Sequence, residues 1–371
     1  MSQFVINIKE LQNLVSRSVK GAGNLPYSVI TCFMHVELKD NVLSLTTTDG
    51  DSYWTVRKND VSGDNMSFTV DVDRFSKLVA KTTSESVRIS LTSDSISITG
   101  NGTYKIPMQF DVDGSEIQYP QHEINSPDNE CTIKTAVIKS IVKYNKPCLS
   151  TSLDKPYLTR YMCADDCVIS GDEYNICEND VETFGTRTLI APSVFDLLSM
   201  ANEEEIHVKM YENNILFETD TIKLFSVTVS DDGAYPVERI KDYCSAEYPS
   251  DCVLPKSHII SAVDRLSLFI DKRDKRPSDL DGIYMTFAKD GVKLESMNSD
   301  AIETIPYQGS NNFKDYTCCI DTNAIRKQLV ARSGESVHIY YGNPSTITVK
   351  DGNITQVIGL LNDPRFSDDE E

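Results

Sequence analysis

The alternation of apolar and polar residues repeats itself along this chain. SESVRISLTSDSISITG, from Ser84 to Gly100, alternates for one short run, breaks at a polar turn and alternates again. Period-two patterning on both sides of a turn predicts a β-hairpin. Related phrases return as EEIHVKMYENNILFE from Glu204 and ESVHIYYGNPSTITV from Glu335. Upstream of each hairpin the period changes. VDVDRFSKLVAKTTS, LIAPSVFDLLSMANE and CIDTNAIRKQLVARSG each begin as a short strand and continue with apolar residues at helical spacing. Phe75 and Val79, Val194 and Leu198, and Ile325 and Leu329 hold matching i, i+4 positions on the predicted apolar faces. Asp73, Pro192, and Asp321 with Thr322 are the expected helix starts. The interval from the helix landmark (Phe75, Val194, Ile325) to the acidic hairpin landmark (Glu85, Glu204, Glu335) is identical in all three copies.

Each copy also has a front half. FVINIKELQNLVSRSVK, CTIKTAVIKSIVKYNK and CVLPKSHIISAVDRLSLFI each predict a strand and a helix, and strand pairs follow. The repeating unit is therefore strand, helix, strands, then strand, helix, strands: a doubled half-unit and an α+β fold. Aromatic-Pro pairs at Tyr119-Pro120 and Tyr235-Pro236 precede polar linkers. Domains are expected at 1–125, 126–248 and 249–371, the last with the short acidic tail FSDDEE.

Charge sharpens this picture. Against 56 Asp and Glu there are 36 Lys and Arg, a net charge of −20, which argues against non-specific adhesion to nucleic acid. The predicted helices break that rule. Asn13, Arg17 and Lys20 line one face of the first, and Arg74, Lys77 and Lys81 line the second. Lys139, Lys143 and Lys146 line the third. The fifth supplies Arg265 and runs into DKRDKRP, with Lys272, Arg273, Lys275 and Arg276. The sixth carries Arg326, Lys327 and Arg332, and only the fourth, Val194 to Ala201, has no base. A basic stripe on a single helix is ordinarily a solvated face. On five of six equivalent helices, it predicts one positive surface suited to a phosphate backbone, read without sequence specificity.

Other chemistry is sparse. There is no GxxxxGK[ST], HExxH, GxSxG or dinucleotide fingerprint, and no catalytic residue is assigned. DVDGSE and TTDGDS lack the later acid of a calcium-binding loop and are expected to be turns. The ten cysteines are expected to be reduced and mostly buried. Cys163, Cys167 and Cys177 do not match a zinc spacing, while Cys163 and the pair Cys318-Cys319 are candidates for oxidation. His207 and His338 share one slot of the hairpin and are expected on the strand surface. No cofactor is expected. The absence of a secretory leader or an apolar run of roughly 18 residues predicts a cytoplasmic protein without a membrane partner.

NLPYSVITCFMHVELKDNVLSLTTTDGD, DDGAYP and VLPKSHIISAVDRLS, set within three doubled units with basic helices, resemble the bacterial-type sliding clamp, the β subunit of the DNA polymerase III holoenzyme. The resemblance spans nearly the whole chain at low overall similarity, as expected of a divergent, phage-type copy. It implies a head-to-tail homodimer closing into a ring, helices inside and sheets outside, around double-stranded DNA. It implies DNA polymerase and clamp loader as partners, held through short peptide motifs. The implied peptide cleft uses Met162, Ser170, Gly171 and Asp172, then Pro236 and Arg239, then Val357, Ile358, Leu360 and Leu361. Departures from the family pattern are Glu173 and Tyr174 in the turn, the longer linker ERIKDYCSAEYPSD, and the continuation NDPRFSDDEE. Two rival readings remain. A tandem structural protein of a virion would explain the repeats but not the basic helices. A DNA-modifying enzyme would need an acidic metal cluster that the sequence does not offer.

Overall fold

The structure, a computed structural model, describes residues 2–23, 28–117, 119–120, 122–164, 166–172, 174–231, 233–270, 282–308, 312 and 314–362. Seven α-helices and twenty-five strands lie among them.

The first repeat runs β1 (Gln3–Asn7), α1 (Ile8–Ser18), β2 (Phe33–Lys39), β3 (Val42–Thr48), β4 (Ser52–Lys58), β5 (Met66–Asp71), α2 (Val72–Lys81), β6 (Ser86–Leu91), β7 (Ser95–Thr99) and β8 (Thr103–Pro107). The second follows as β9 (Asn129–Lys134), α3 (Thr135–Tyr144), β10 (Tyr161–Cys163), β11 (Val168–Gly171), β12 (Asn175–Asn179), β13 (Thr188–Ile190), α4 (Pro192–Leu198), β14 (Glu205–Tyr211), β15 (Asn214–Glu218) and β16 (Ile222–Val227). A short strand β17 (Val229–Ser230) and helix α5 (Val237–Cys244) precede the third. That repeat comprises β18 (Ser250–Pro255), α6 (Lys256–Leu266), β19 (Gly282–Ala288), β20 (Gly291–Ser296), β21 (Ile302–Ile305), β22 (Tyr316–Asp321), α7 (Thr322–Ala331), β23 (Ser336–Tyr341), β24 (Thr346–Asp351) and β25 (Ile354–Leu361).

Each repeat contributes two antiparallel four-strand orders. The hairpin sheets are β1-β6-β7-β8, β9-β14-β15-β16 and β18-β23-β24-β25. The companion sheets are β5-β2-β3-β4, β13-β10-β11-β12 and β22-β19-β20-β21. The three hairpins predicted from sequence form as β6–β7, β14–β15 and β23–β24. Between β2 and β3, Asp40 and Asn41 sit at φ 51° and 66°, the left-handed pair that a two-residue hairpin turn requires.

The chain divides into two compact units, 1–139 with 193–229 and 140–192 with 230–371. Within the first, β4 pairs with β16, fusing a sheet of the first repeat to one of the second. Within the second, β12 pairs with β25, joining the second repeat to the third in the same way.

Helices cover the sheets with their apolar faces. In the first unit α1 buries Leu11, Leu14 and Val15, while α2 buries Val72, Phe75 and Val79. The indole of Trp54, fully buried, donates to the Arg17 carbonyl at 3.0 Å. In the second unit Ile259, Val263 and Leu266 of α6 and Ile325 and Leu329 of α7 share one core with Phe287, Ile339 and Tyr341.

Several expectations need correction. The cap of α2 is Asp71, whose carboxylate accepts from the Arg74 amide at 2.7 Å, and Asp73 lies in the first turn. Asp321 caps α7 as expected, through the Ala324 amide at 2.7 Å. The region read as a long linker after Pro236 contains α5. Val237, Ile240 and Cys244 fall on one face there and are buried. Arg332, assigned to a basic face, is buried at 3 % exposure, with Nη2 donating to the Val349 carbonyl and to Gln356 Oε1, both at 2.8 Å. Cys163, Cys318 and Cys319, the candidates for oxidation, are all buried, and burial pushes the Cys163 thiol pKa upward, away from the reactive thiolate. The two candidate calcium loops are turns. Asp49 accepts from the Asp51 and Ser52 amides, and Asp113 from the Ser115 amide and hydroxyl. No helix among the described residues is long and apolar enough to cross a membrane.

Trp54 is the only tryptophan, so its fluorescence reports the first unit alone. Phe75→Ala, which empties a fully buried site, is expected to cost about 3–5 kcal/mol. In urea unfolding this lowers the midpoint of the Trp54 transition, and an unchanged midpoint would contradict the core assignment.

Candidate peptide groove and basic helix faces

The second unit carries an open groove of about 520 Å³. Its floor is β12 and β25, where Ile176, Val357 and Gly359 face the opening. One wall is α5, which turns Ile240 and Tyr243 inward and leaves Arg239 exposed at the rim. A further part of the lining is the short turn Pro156–Thr159, closed by the Thr159 hydroxyl donating to the Pro156 carbonyl at 2.7 Å. It presents Tyr157 and Leu158. Beneath lies an apolar cluster that includes Leu158, Met162, Ile169, Val237, Ile240 and Val357.

One end is shaped by the turn between β11 and β12. The Asp172 carboxylate accepts from the Tyr174 amide at 2.7 Å and the Asn175 amide at 2.6 Å. This arrangement projects Tyr174, 41 % exposed, over the groove. The Gly359 amide donates to the Tyr174 carbonyl at 2.6 Å. A Cβ at Gly359 would stand 3.2 Å from that oxygen, so the close approach favours glycine.

Behind the floor is a buried polar system. Asn145 donates to the carbonyls of Val168 (2.9 Å) and Cys177 (3.3 Å), and accepts from Asn179 at 3.2 Å. The Ser170 hydroxyl donates to the Asn145 carbonyl at 2.8 Å. Gln328 of α7 donates to the Asn175 side chain at 2.9 Å, tying the turn-end of β12 to that helix. Buried hydrogen bonds of this kind rigidify a site, because a broken partner leaves a desolvated group unpaired, although Gln328 Oε1 itself has no hydrogen-bond partner among the described residues.

Of the sequence-predicted cleft residues, Gly171, Asp172, Pro236, Arg239 and Val357 line this groove. Met162 and Ser170 are fully buried behind it. Ile358 points into the core of the third repeat and Leu360 packs against it, because alternate residues of a strand face opposite sides. Leu360 and Leu361 pair with Ile320 and Cys319 of β22, outside the groove lining. The sequence reading missed Tyr157, Ile176, Ile240 and Tyr243. The helical spacing of Val237, Ile240 and Cys244 was the available signal for that wall.

The basic helix faces vary in how much of their charge is committed. Arg74, Lys77 and Lys81 are exposed on α2, with Lys77 paired to Asp73 at 2.7 Å. Lys20 is exposed in the turn after α1, but Arg17 is half-buried. Burial lowers the Arg17 pKa, opposed by Glu203, and its guanidinium donates to the Met200 carbonyl at 3.4 Å. Lys139 and Lys143 are exposed on α3, with Lys143 bonded to the Ser333 hydroxyl, and Lys146 is exposed in the following turn. On the α6–α7 pair, Arg265 makes a two-pronged contact with Glu303 at 2.7 and 2.6 Å, which raises its pKa. Arg326 pairs with Asp264 at 2.5 Å, while Lys327 is exposed. Lys272, Arg273, Lys275 and Arg276 lie outside the described residues.

No family model matches the sequence, and neither does any curated protein. Solved structures do match. The DNA polymerase sliding clamp of Bacillus subtilis superposes with a TM-score of 0.81 at 16 % identity, over 98 % of this chain and 99 % of the other. The DNA polymerase III β chain of Streptococcus pneumoniae gives 0.83 at 13 % identity, over 98 % and 100 %. A sliding clamp from Bartonella birtlesii, bound to griselimycin, gives 0.81 at 14 %, again over 98 % and 100 %. The fold is that of the bacterial sliding clamps.

Asp172→Ala removes the acceptor of two backbone amides. Its expected result is hydrogen exchange about tenfold faster at Tyr174 and Asn175, the cost of roughly one to two lost hydrogen bonds. Unchanged protection would mean that the turn is held by something else.

Proposed function

We propose that this protein is a sliding clamp: a non-enzymatic processivity factor of the cytoplasm that encircles duplex DNA and tethers a DNA polymerase to it. The likeness to sliding clamps over the full length of both chains carries the reading. The three repeats correspond to domains at 1–125, 126–248 and 249–371.

The pairing of the sheets supports a ring. The fourth strand of a companion sheet joins the fourth strand of the next repeat's hairpin sheet, as β4 joins β16 and β12 joins β25. That rule leaves β21 of the third repeat and β8 of the first as edges. A second copy placed head to tail satisfies both edges and closes after two chains. Apolar side chains are exposed near both: Ile302 at 52 %, Leu268 at 80 % and Phe269 at 46 % in the third repeat, Tyr104 at 43 % in the first. Phosphate attraction falls to the exposed bases Lys20, Arg74, Lys77, Lys81, Lys139, Lys143, Lys146 and Lys327. Arg265 and Arg326 contribute less, being balanced by Glu303 and Asp264. Binding is then salt-sensitive and topological, with no reading of base edges.

The groove suits a short linear peptide of the polymerase or clamp loader. Aromatic and aliphatic anchors sit over a firm floor, with few charges.

Threading onto duplex DNA tests the ring. Protein is admitted at one free end of a linear duplex, both ends are then blocked, and the DNA is washed at about 1 M salt, where phosphate contacts are screened. The expected result is retention on blocked DNA and loss from open-ended DNA. Leu268→Asp with Phe269→Asp is expected to sediment as a single chain and to be lost from both. Equal loss of the unaltered protein from both DNAs would overturn the proposal.

The groove is tested by fluorescence polarisation with labelled hexapeptides bearing two bulky apolar side chains. Tyr243→Ala, which removes one anchor, is expected to weaken binding about tenfold or more. Binding indifferent to Tyr243 would relocate the peptide site.

A further inference from the structure

We propose that the groove is also a docking site for this chain's own segment Asp363–Glu371, which competes there with partner peptides. The proposal rests on the reading of the groove as a peptide site.

Position is the first argument. Val357 and Gly359 of β25 line the groove, and the described chain ends at Asn362, three residues beyond Gly359. The nine residues that follow can extend about 30 Å. That exceeds the span of α5, roughly 12 Å for a helix of its length.

Chemistry is the second. The segment DPRFSDDEE has one large apolar side chain, Phe366, followed by Ser367 and four consecutive acids, Asp368 to Glu371. The groove offers Tyr157, Ile176, Ile240 and Tyr243 as an apolar and aromatic bed. Its described lining includes two cations, Lys155 and Arg239, and one carboxylate, Asp172, which is held by backbone amides. Arg239 is fully exposed, and its side-chain contact is the Tyr243 hydroxyl at 3.3 Å rather than an acid. In a chain of net charge −20, such a lining is a favourable place for four adjacent negative charges.

Tethering supplies the third. A segment joined this closely to its site acts at an effective concentration on the order of 1 mM. An intrinsic dissociation constant near 0.1 mM would therefore weaken a competing peptide about tenfold. Binding of this kind leaves the groove available to a tight partner and closed to weak ones.

Polarisation assays on the full chain and its full-length Phe366→Ala variant test this, using two probes. One is the labelled nonapeptide Asp363–Glu371, and the other is a labelled hexapeptide bearing two bulky apolar side chains. Phe366→Ala is expected to bind the hexapeptide about tenfold more tightly than the unaltered chain. It is also expected to bind the nonapeptide, and to lose the nonapeptide when Arg239→Glu is added. If both chains bind the hexapeptide equally and neither binds the nonapeptide, the competition is overturned while the peptide groove stands. If neither chain binds either probe, the groove reading fails and this proposal fails with it.

Discussion

The structure depends on sheet edges being satisfied by the neighbouring repeat. A four-stranded sheet with a free edge leaves a row of unpaired amides and carbonyls. Here β4 meets β16 through Ile222 opposite Val56 to Ser226 opposite Ser52, and β12 meets β25 through Asn175 opposite Ile358 to Asn179 opposite Ile354. These ladders explain why the two compact units cut across the sequence repeats. The second repeat's hairpin sheet is bound into the first unit and its companion sheet into the second. A unit of sequence is thus not a unit of cohesion, because each ladder between repeats is as long as many of the ladders within one.

The polar interior of the second unit follows from the same continuity. Where α7 packs behind β12, the chain buries Asn145, Asn179, Gln328 and Arg332 instead of a wholly apolar layer. Nearly all of the Asn145 hydrogen-bonding capacity is used, on the backbone of β11 and β12 and on Asn179. Such a layer fixes register as well as stability, since slipping one strand would orphan several groups at once. The floor of the groove is the outer side of this layer, so its shape is set from behind.

Charge is divided by element. The strands and loops carry the acidic excess, while α1, α2, α3, α6 and α7 carry exposed or half-buried bases. Local pairing then modifies the pattern. Arg265 and Arg326 are neutralised by Glu303 and Asp264, and Arg332 is drawn inside altogether. A stripe of bases in the sequence therefore overstates the charge available to a phosphate. Exposed lysines, Lys20, Lys77, Lys81, Lys139, Lys143, Lys146 and Lys327, carry most of what remains.

The alternation of EEIHVKMYENNILFE and its two relatives was enough to specify the hairpins, because a period of two buries one face wherever the strand lies. The i, i+4 apolar pairs of α2, α4 and α7 were legible for the analogous reason at helical period. Caps were only partly legible: Asp71 and Asp73 are chemically equivalent in sequence, and backbone geometry alone decides which faces the free amides. The groove was half legible. Pro236, Arg239 and Val357 were in view, whereas Tyr157, Ile176 and Tyr243 belong to segments distant in sequence that meet only around one apolar cluster of the folded second unit. Ile358 could not be told from Val357 until register assigned one to the core and the other to the opening. The sequence by itself determined the repeated elements and their apolar faces, since both are local periodicities. Which edges join, which bases stay exposed and which side chains converge were decided by tertiary structure, because each depends on a partner far away along the chain.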